Sequence, residues 1–149
     1  MSPPPSSALT PDAARHARVR DAHSAEMAED YVETIADTIA ERGTCRVRDL
    51  STRFGVSHVT VSRTVGRLVR DGLATTEPYK PICLTPKGKR LALKAKARHQ
   101  TCVRFLLALG LDRKTAEIDA EGIEHHVSPK TLKLFDRFAD EHRRKPSRG

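Results

Sequence analysis

The sequence predicts a mainly α-helical protein, with a winged helix-turn-helix DNA-binding domain followed by a helical dimerisation domain. Apolar residues recur at helical spacing through most of the 149 residues, and only 4% of the residues are aromatic. A helix–turn–helix pattern followed by two short strand-like runs occupies the middle of the chain. The length suits one domain or two small ones that share a core. We expect a flexible tail over 1–23, the winged domain over 24–86 and the helical domain over 87–149.

The first helix is expected over about residues 24–42, closed by Gly43. Its apolar stripe repeats at i, i+4 and i+8, at Tyr31, Ile35 and Ile39. Residues 1–23 are rich in proline and small residues, which indicates a flexible tail that could turn helical after Pro11.

The next segment has the pattern of a helix-turn-helix. A short helix is predicted over 47–54, a tight turn at Gly55, and a second helix over 58–71 with Ser57 as its N-cap. The apolar residues of the second helix share one face, at Val61, Val65 and Leu68. The opposite face is polar and basic, as in a recognition helix, and carries His58, Thr60, Arg63, Thr64 and Arg67.

A β-hairpin wing is predicted directly after the recognition helix. Its strands are expected over 73–77 and 82–85, joined by a turn from Pro78 to Pro81. Lys80 at the tip is then placed to contact phosphate.

Three helices are expected in the remainder, over about 86–109, 113–127 and 129–143. The last one presents large apolar residues at Leu132, Phe135, Phe138 and Ala139. Intrachain packing could account for these residues, but a homodimer surface is the favoured interpretation.

The charge distribution favours a polyanionic partner. Formal net charge is +8 with a pI near 9.8, yet residues 42–70 hold seven arginines while residues 26–41 hold six acids and no Lys or Arg. Double-stranded DNA is the expected partner. The predicted contacts combine base readers at the start of the recognition helix with phosphate-binding cations: Arg53, Ser57, His58, Val59, Thr60, Arg63, Arg67 and Lys80.

Two acidic clusters and one histidine predict a site for divalent metal. Glu121, Glu124 and His125 stand at i, i+3 and i+4, while Asp30 and Glu33 stand at i, i+3. With His99, they offer four carboxylates and two imidazoles, so two divalent cations would balance the charge. A carboxylate-rich set without sulfur suits manganese, although iron, cobalt and zinc are not excluded. The alternative is that these acids lie on solvated helix faces.

The cysteines argue against a disulfide scaffold. Cys45, Cys83 and Cys102 are odd in number and widely spaced, so neither disulfides nor a structural zinc site is expected, and a reducing compartment fits. No signal peptide or membrane-spanning run is visible, so we expect a cytoplasmic protein without a membrane partner or organic cofactor.

Two rival functions remain open from the residues. A dimetal enzyme is possible in a helical bundle, but the chain lacks paired Glu-x-x-His motifs and such an enzyme leaves the helix-turn-helix unexplained. A winged-helix regulator that answers to an organic ligand would bind DNA without metal.

Several stretches resemble the diphtheria toxin repressor family, most closely its manganese transport regulator branch. They are Asp30 to Glu33, Phe54 to Leu68, Leu84 to Gly88, Arg98-His99 and Asp119 to His126. The resemblance implies a homodimeric repressor of metal uptake genes that binds a palindromic operator, activated by two Mn²⁺ per subunit. It implies metal ligands at Asp30, Glu33, His99, Glu121, Glu124 and His125. The iron-sensing branch has methionine in place of Asp30 and cysteine in place of Glu124, which supports manganese over an iron- or zinc-responsive repressor of the same family.

Overall fold

The computed structural model describes residues 10–143. The described part contains six helices and one two-stranded sheet, which confirms the mainly α fold. In chain order the elements are α1 (Pro11–Arg42), α2 (Val47–Phe54), α3 (His58–Arg70), β1 (Ala74–Thr75), β2 (Cys83–Leu84), α4 (Pro86–Leu109), α5 (Arg113–Ile123) and α6 (Pro129–Glu141).

The first helix begins earlier than its apolar pattern indicates. The Thr10 side chain accepts a hydrogen bond from the Ala13 N–H at 3.1 Å, and Pro11 occupies the first helical position. For residues 11–23 the structure shows the helical alternative that the sequence left open after Pro11, and this segment forms the start of α1. Most side chains of residues 11–25 are exposed, so no apolar stripe marked this extension. The rest of the expected tail and the basic end after Arg143 lie outside the described residues.

The N-terminal half, from α1 to β2, forms one hydrophobic core. Ile35 of α1, Leu50 of α2 and Leu68 of α3 are fully or almost fully buried in it. The Tyr31 ring stacks on Phe54 with centroids 4.5 Å apart, which joins α1 to α2.

The wing is shorter than expected. Its strands are antiparallel with Ala74 opposite Leu84, and each has two residues where 73–77 and 82–85 were predicted. Pro78 and Pro81 offer no N–H to extend the ladder, and Tyr79 has a positive φ of 62°. The tip is therefore a turn rather than continued strand.

A second core lies in the C-terminal half. Cys102 and Leu106 of α4 pack with Ala116 and Ala120 of α5. The first half of α4 packs against α1 instead, with Ala92 in the core of the N-terminal half. The long helix α4 therefore passes through both cores and connects them.

Helix α5 ends before the predicted residue 127. Its last residue is Ile123, and the His126 N–H donates to the Ile123 carbonyl at 3.0 Å to form a tight turn. Ser128 and Pro129 then cap and begin α6, which ends two residues earlier than predicted. Glu124 and His125 consequently lie on a turn and not within the helix.

The apolar residues that suggested a dimer surface pack mostly within the chain. Phe135 of α6 stacks on Phe105 of α4 at 3.9 Å, Phe138 meets the same ring edge-on, and Ala139 is buried. Other large apolar side chains remain exposed, among them Ile118 at 63% and Leu134 at 55%. No helix within residues 10–143 is long and apolar enough to cross a bilayer.

Candidate metal centre and nucleic-acid interface

All six predicted metal ligands line one cleft of about 720 Å³. Helix α1 supplies two of them, α4 supplies one, and the end of α5 with the following turn supplies three. The set is Asp30, Glu33, His99, Glu121, Glu124 and His125. The cleft lies between the N-terminal half and the C-terminal half, because α1 belongs to the first core and α5 to the second.

The tightest part of the cleft joins α1 to the turn after α5. Donor atoms of Asp30, Glu124 and His125 all lie within 4.8 Å of one another. His125 Nε2 lies 3.2 Å from Asp30 Oδ1 and 3.3 Å from Glu124 Oε1. Glu124 is only 5% exposed, so a carboxylate is buried where charged groups need compensation.

His99 extends this cluster from α4. Its Nδ1 lies 2.6 Å from Glu124 Oε2, and its Nε2 lies 2.8 Å from Glu117 Oε2. Glu33 and Glu121 line the same cleft, and their negative charges act on the cluster electrostatically: Glu121 raises the pKa of Asp30, and Glu33 raises that of Glu124.

Burial dominates the protonation behaviour of the acids. It raises the pKa values of Asp30, Glu33 and Glu124 above their usual range, because a carboxylate loses water there. Burial also opposes protonation of His99, but hydrogen bonds and charges of Glu117 and Glu124 outweigh it and raise the pKa of that imidazole. The cleft thus concentrates negative charge that a cation would stabilise.

The donor chemistry fits a hard divalent cation. The cleft offers carboxylate oxygens and imidazole nitrogens, whereas the nearby Cys102 thiol is fully buried in the second core. Burial raises the pKa of Cys102 to about 11, so it stays a neutral thiol and not a thiolate ligand. Oxygen-rich sets of this kind suit manganese among the transition metals.

Three residues that contact the predicted ligands were not predicted from the sequence: Glu29, Arg98 and Glu117. Arg98 Nη1 donates to Glu29 Oε2 at 3.0 Å and to the Glu124 carbonyl at 3.5 Å, and Glu29 Oε2 lies 3.1 Å from His125 Nδ1. Glu117 contacts His99 as described above. The available signals were weak: Glu29 adjoins Asp30, and Glu117 precedes Glu121 by one helical turn.

The predicted base-reading residues are exposed at the start of α3. The Ser57 hydroxyl accepts from the Thr60 N–H at 3.2 Å and caps the helix, and His58, Val59 and Thr60 follow with exposed side chains. Val59 is 68% exposed.

Two arginines and the wing lysine complete this surface. Arg63 and Arg67 are exposed on α3, and Lys80 at the wing tip pairs with Glu77 at 2.6 Å. Thr64, expected on the same face, is instead buried and donates to the Thr60 carbonyl at 3.1 Å. Thr64 stands three residues after Val61 and four before Leu68, so ordinary helical spacing places it on the buried face.

Arg53 lies apart from that surface. It pairs with Glu41 of α1 and lines the metal cleft rather than the recognition face of α3. Its predicted contact with DNA phosphate stays a prediction.

Comparison with known proteins identifies both halves. Residues 23–82 match the family described as iron dependent repressor, N-terminal DNA binding domain. Residues 85–149 match the iron dependent repressor, metal binding and dimerisation domain. Among curated proteins, the transcriptional regulator MntR of Salmonella typhimurium is 44% identical over 125 residues, which cover 84% of this chain and 80% of that protein. The HTH-type transcriptional regulator MntR of Lysinibacillus sphaericus is 38% identical over 112 residues, which cover 75% and 78% of the two chains.

Solved structures show the same architecture. A manganese-dependent transcriptional repressor in complex with manganese superposes with a TM-score of 0.67 at 29% identity, and covers 80% of this chain and 55% of that one. The manganese regulator SloR gives a TM-score of 0.66 at 27% identity, and covers 76% and 53%. This chain therefore spans about half the length of those solved proteins.

The two matched domains define a DNA-binding transcriptional regulator with a metal-binding and dimerisation domain, and not an enzyme. The chain belongs to the iron-dependent repressor family, which is the diphtheria toxin repressor family, and to its manganese transport regulator branch.

Proposed function

We propose that this protein is a manganese-responsive repressor of metal uptake genes. In this proposal it binds a palindromic operator as a homodimer, when two Mn²⁺ are held in the cleft of each subunit. The observation that carries the proposal is the convergence of all six predicted ligands on one cleft between the two halves.

The six residues would share the two cations between the halves of the subunit. Asp30 and Glu33 on α1, His99 on α4, and the group at the end of α5 would hold them, and the ions would supply positive charge to offset four carboxylates. Because α1 belongs to the core that carries α3, the state of this cleft sets where α3 lies relative to the C-terminal half.

DNA binding by a dimer depends on that geometry. Two recognition helices engage a palindrome when they lie about one DNA turn apart, roughly 34–36 Å. Mn²⁺ would raise DNA affinity by binding more tightly to the arrangement with this spacing. Since a repressor must share a compartment with its operator, we place the protein in the cytoplasm.

Manganese is preferred over iron or zinc for two reasons. Oxygen donors outnumber nitrogen donors in the cleft, and Asp30 and Glu124 supply oxygen at the buried centre. Solved proteins of the same architecture are named a manganese-dependent transcriptional repressor and a manganese regulator. An iron- or zinc-responsive repressor is the alternative, followed by a regulator that needs no metal.

Fluorescence anisotropy on a labelled palindromic duplex tests the proposal. With EDTA present we expect only weak, salt-sensitive binding, and with Mn²⁺ we expect tight binding. Equal affinity in both conditions would overturn metal dependence. Parallel titrations with Fe²⁺, Co²⁺ and Zn²⁺ decide the ion, and activation by Fe²⁺ or Zn²⁺ alone would favour the alternative.

Two neighbouring histidines provide a matched pair of variants. His125→Ala removes a ligand from the tight cluster and should abolish the response to Mn²⁺. The His126 side chain is 65% exposed and lies 3.9 Å from Glu26, so His126→Ala should keep the response. A full response in His125→Ala would remove the cleft from the mechanism.

A further inference from the structure

We propose that Glu29 and Glu117, which are outside the predicted ligand set, are positioning residues that each hold one metal-binding histidine in the correct tautomer. This inference rests on the proposed function, because it assigns roles around the same cleft.

The two ring nitrogens of His125 have different partners. Nε2 points to the ligand carboxylates of Asp30 and Glu124, at 3.2 Å and 3.3 Å. Nδ1 lies 3.1 Å from Glu29 Oε2. A histidine binds a cation through a nitrogen without a proton, so its proton must sit on the other nitrogen. An acceptor at Nδ1 therefore favours the tautomer that leaves Nε2 free for a cation, in competition with the carboxylates at Nε2, and it also fixes the ring orientation.

Glu29 is suited to this role and not to coordination. Its carboxylate accepts from Arg98 Nη1 at 3.0 Å, and both side chains are only 16% exposed. A guanidinium does not lose its charge in proteins, so the charge of Glu29 is already balanced. The same guanidinium reaches the Glu124 carbonyl at 3.5 Å, which ties this pair to the turn that carries two predicted ligands.

His99 shows the same arrangement with the ring nitrogens exchanged. Nδ1 lies 2.6 Å from the ligand candidate Glu124, while Nε2 lies 2.8 Å from Glu117. Glu117 in turn accepts from Arg113 at 3.4 Å. Each histidine thus faces at least one ligand carboxylate with one nitrogen and a carboxylate paired with an arginine with the other.

Side-chain NMR of the metal-free protein tests the proposal without any ion. Nitrogen–proton correlation spectra at alkaline pH, where the imidazoles are neutral, report which nitrogen carries the proton. Carboxylates face both nitrogens of each ring in the metal-free protein, so the wild-type spectra give the reference populations of the two tautomers. Relative to wild type, Glu29→Ala should lower the Nδ1–H fraction of His125 alone, and Glu117→Ala should lower the Nε2–H fraction of His99 alone, so each variant controls for the other.

A third variant tests whether loss of any carboxylate charge from the cleft is enough to change the histidine tautomers. Asp37 lines the same cleft, but its carboxylate pairs with Lys96 at 3.7 Å and not with a histidine. Asp37→Ala should leave both tautomers unchanged. A tautomer change in this variant, or unchanged tautomers in both Glu→Ala variants, would overturn the proposal.

Calorimetric titration with Mn²⁺ gives the consequence for affinity. Loss of such an outer carboxylate weakens metal binding by about 10–100-fold, and we expect this range for Glu29→Ala. Glu29→Gln keeps an acceptor for Nδ1–H, so it should keep the tautomer and recover part of the affinity. Equal loss in both variants, with unchanged tautomer, would show that Glu29 acts by charge and contradict positioning. Failure of the wild-type protein to bind Mn²⁺ would instead overturn the proposed function. This outcome is measured on the wild type and not on the Glu29 variants, so the two failures can be told apart.

Discussion

Arg67 is a single side chain whose predicted contact with DNA phosphate can be tested in isolation. It is exposed on α3, and among residues 10–143 it forms no ion pair with an acid. A phosphate contact carries no sequence information, so Arg67→Ala should weaken binding to specific and unrelated duplexes alike. The slope of log affinity against log salt should fall by about one unit.

Anisotropy titrations at several salt concentrations measure this effect. Arg137→Ala, an exposed arginine on α6 in the C-terminal half, is the matched control and should leave the slope unchanged. An effect of Arg67→Ala that is confined to one operator base pair would instead identify a base contact.

The cysteines differ in reactivity because they differ in burial. Burial raises the pKa of Cys45 and of Cys102 to about 11, while Cys83 is exposed. Only the thiolate attacks a disulfide reagent, so folded protein should react rapidly at Cys83 and slowly at the other two. Ellman's reagent should show one fast thiol per chain, absent in Cys83→Ser, and three after unfolding. A second fast thiol in the folded protein would contradict this burial.

At the scale of elements, one glycine sets how α4 meets the wing. A Cβ on Gly88 would lie inside the contact distance of the Leu73 backbone carbonyl, which cannot move without shifting the hairpin. Gly88→Ala should therefore destabilise the protein by about 1–3 kcal/mol, as overpacking does. Urea unfolding of the metal-free protein measures this change.

Gly66 supplies the control within another helix. A Cβ there meets no atom within 4 Å, and no positive φ is required. Gly66→Ala should leave stability unchanged or raise it by about 0.5–1 kcal/mol, because alanine favours the helix. Equal stability of the two variants would show that the hairpin gives way at Leu73.

Element boundaries were predictable where capping residues and apolar stripes coincide. Thr85, Pro86 and Gly110 mark α4, and its bounds match the prediction. Helix α1 continues back to Pro11 without an apolar stripe, so the cap at Thr10 alone was too weak a signal. Helix α5 ends in a turn that contains Glu124 and His125. Helical spacing in the sequence does not predict this turn.

The residues of the candidate site were likewise predictable in part. Spacing on a helix groups Asp30 with Glu33, and Glu121 with Glu124, so those ligands could be proposed from sequence. Glu29 and Glu117 gain their roles through contacts with histidines 96 and 18 residues away. Such contacts exist only after α1, α4 and α5 have packed together.

At the scale of the whole molecule, the proposed function requires coupling between the metal cleft and the exposed face of α3. The cleft contains residues of both halves, while α3 presents its exposed face from the core that includes α1. If Mn²⁺ raises operator affinity by a given factor, operator DNA must raise Mn²⁺ affinity by the same factor. Couplings of this kind are typically about 5–150-fold.

Both sides of this relation can be measured on one sample. Mn²⁺ titrations with and without saturating operator give one factor, and operator titrations with Mn²⁺ or EDTA give the other. A scrambled duplex of equal length should give a much smaller factor, and His125→Ala should remove the coupling. Unequal factors would mean that a further equilibrium, such as dissociation of the dimer, enters one titration. Two ligands that both stabilise the same arrangement of the halves must raise each other's affinity. If neither ligand changed the affinity of the other, the cleft and the recognition helix would therefore act independently.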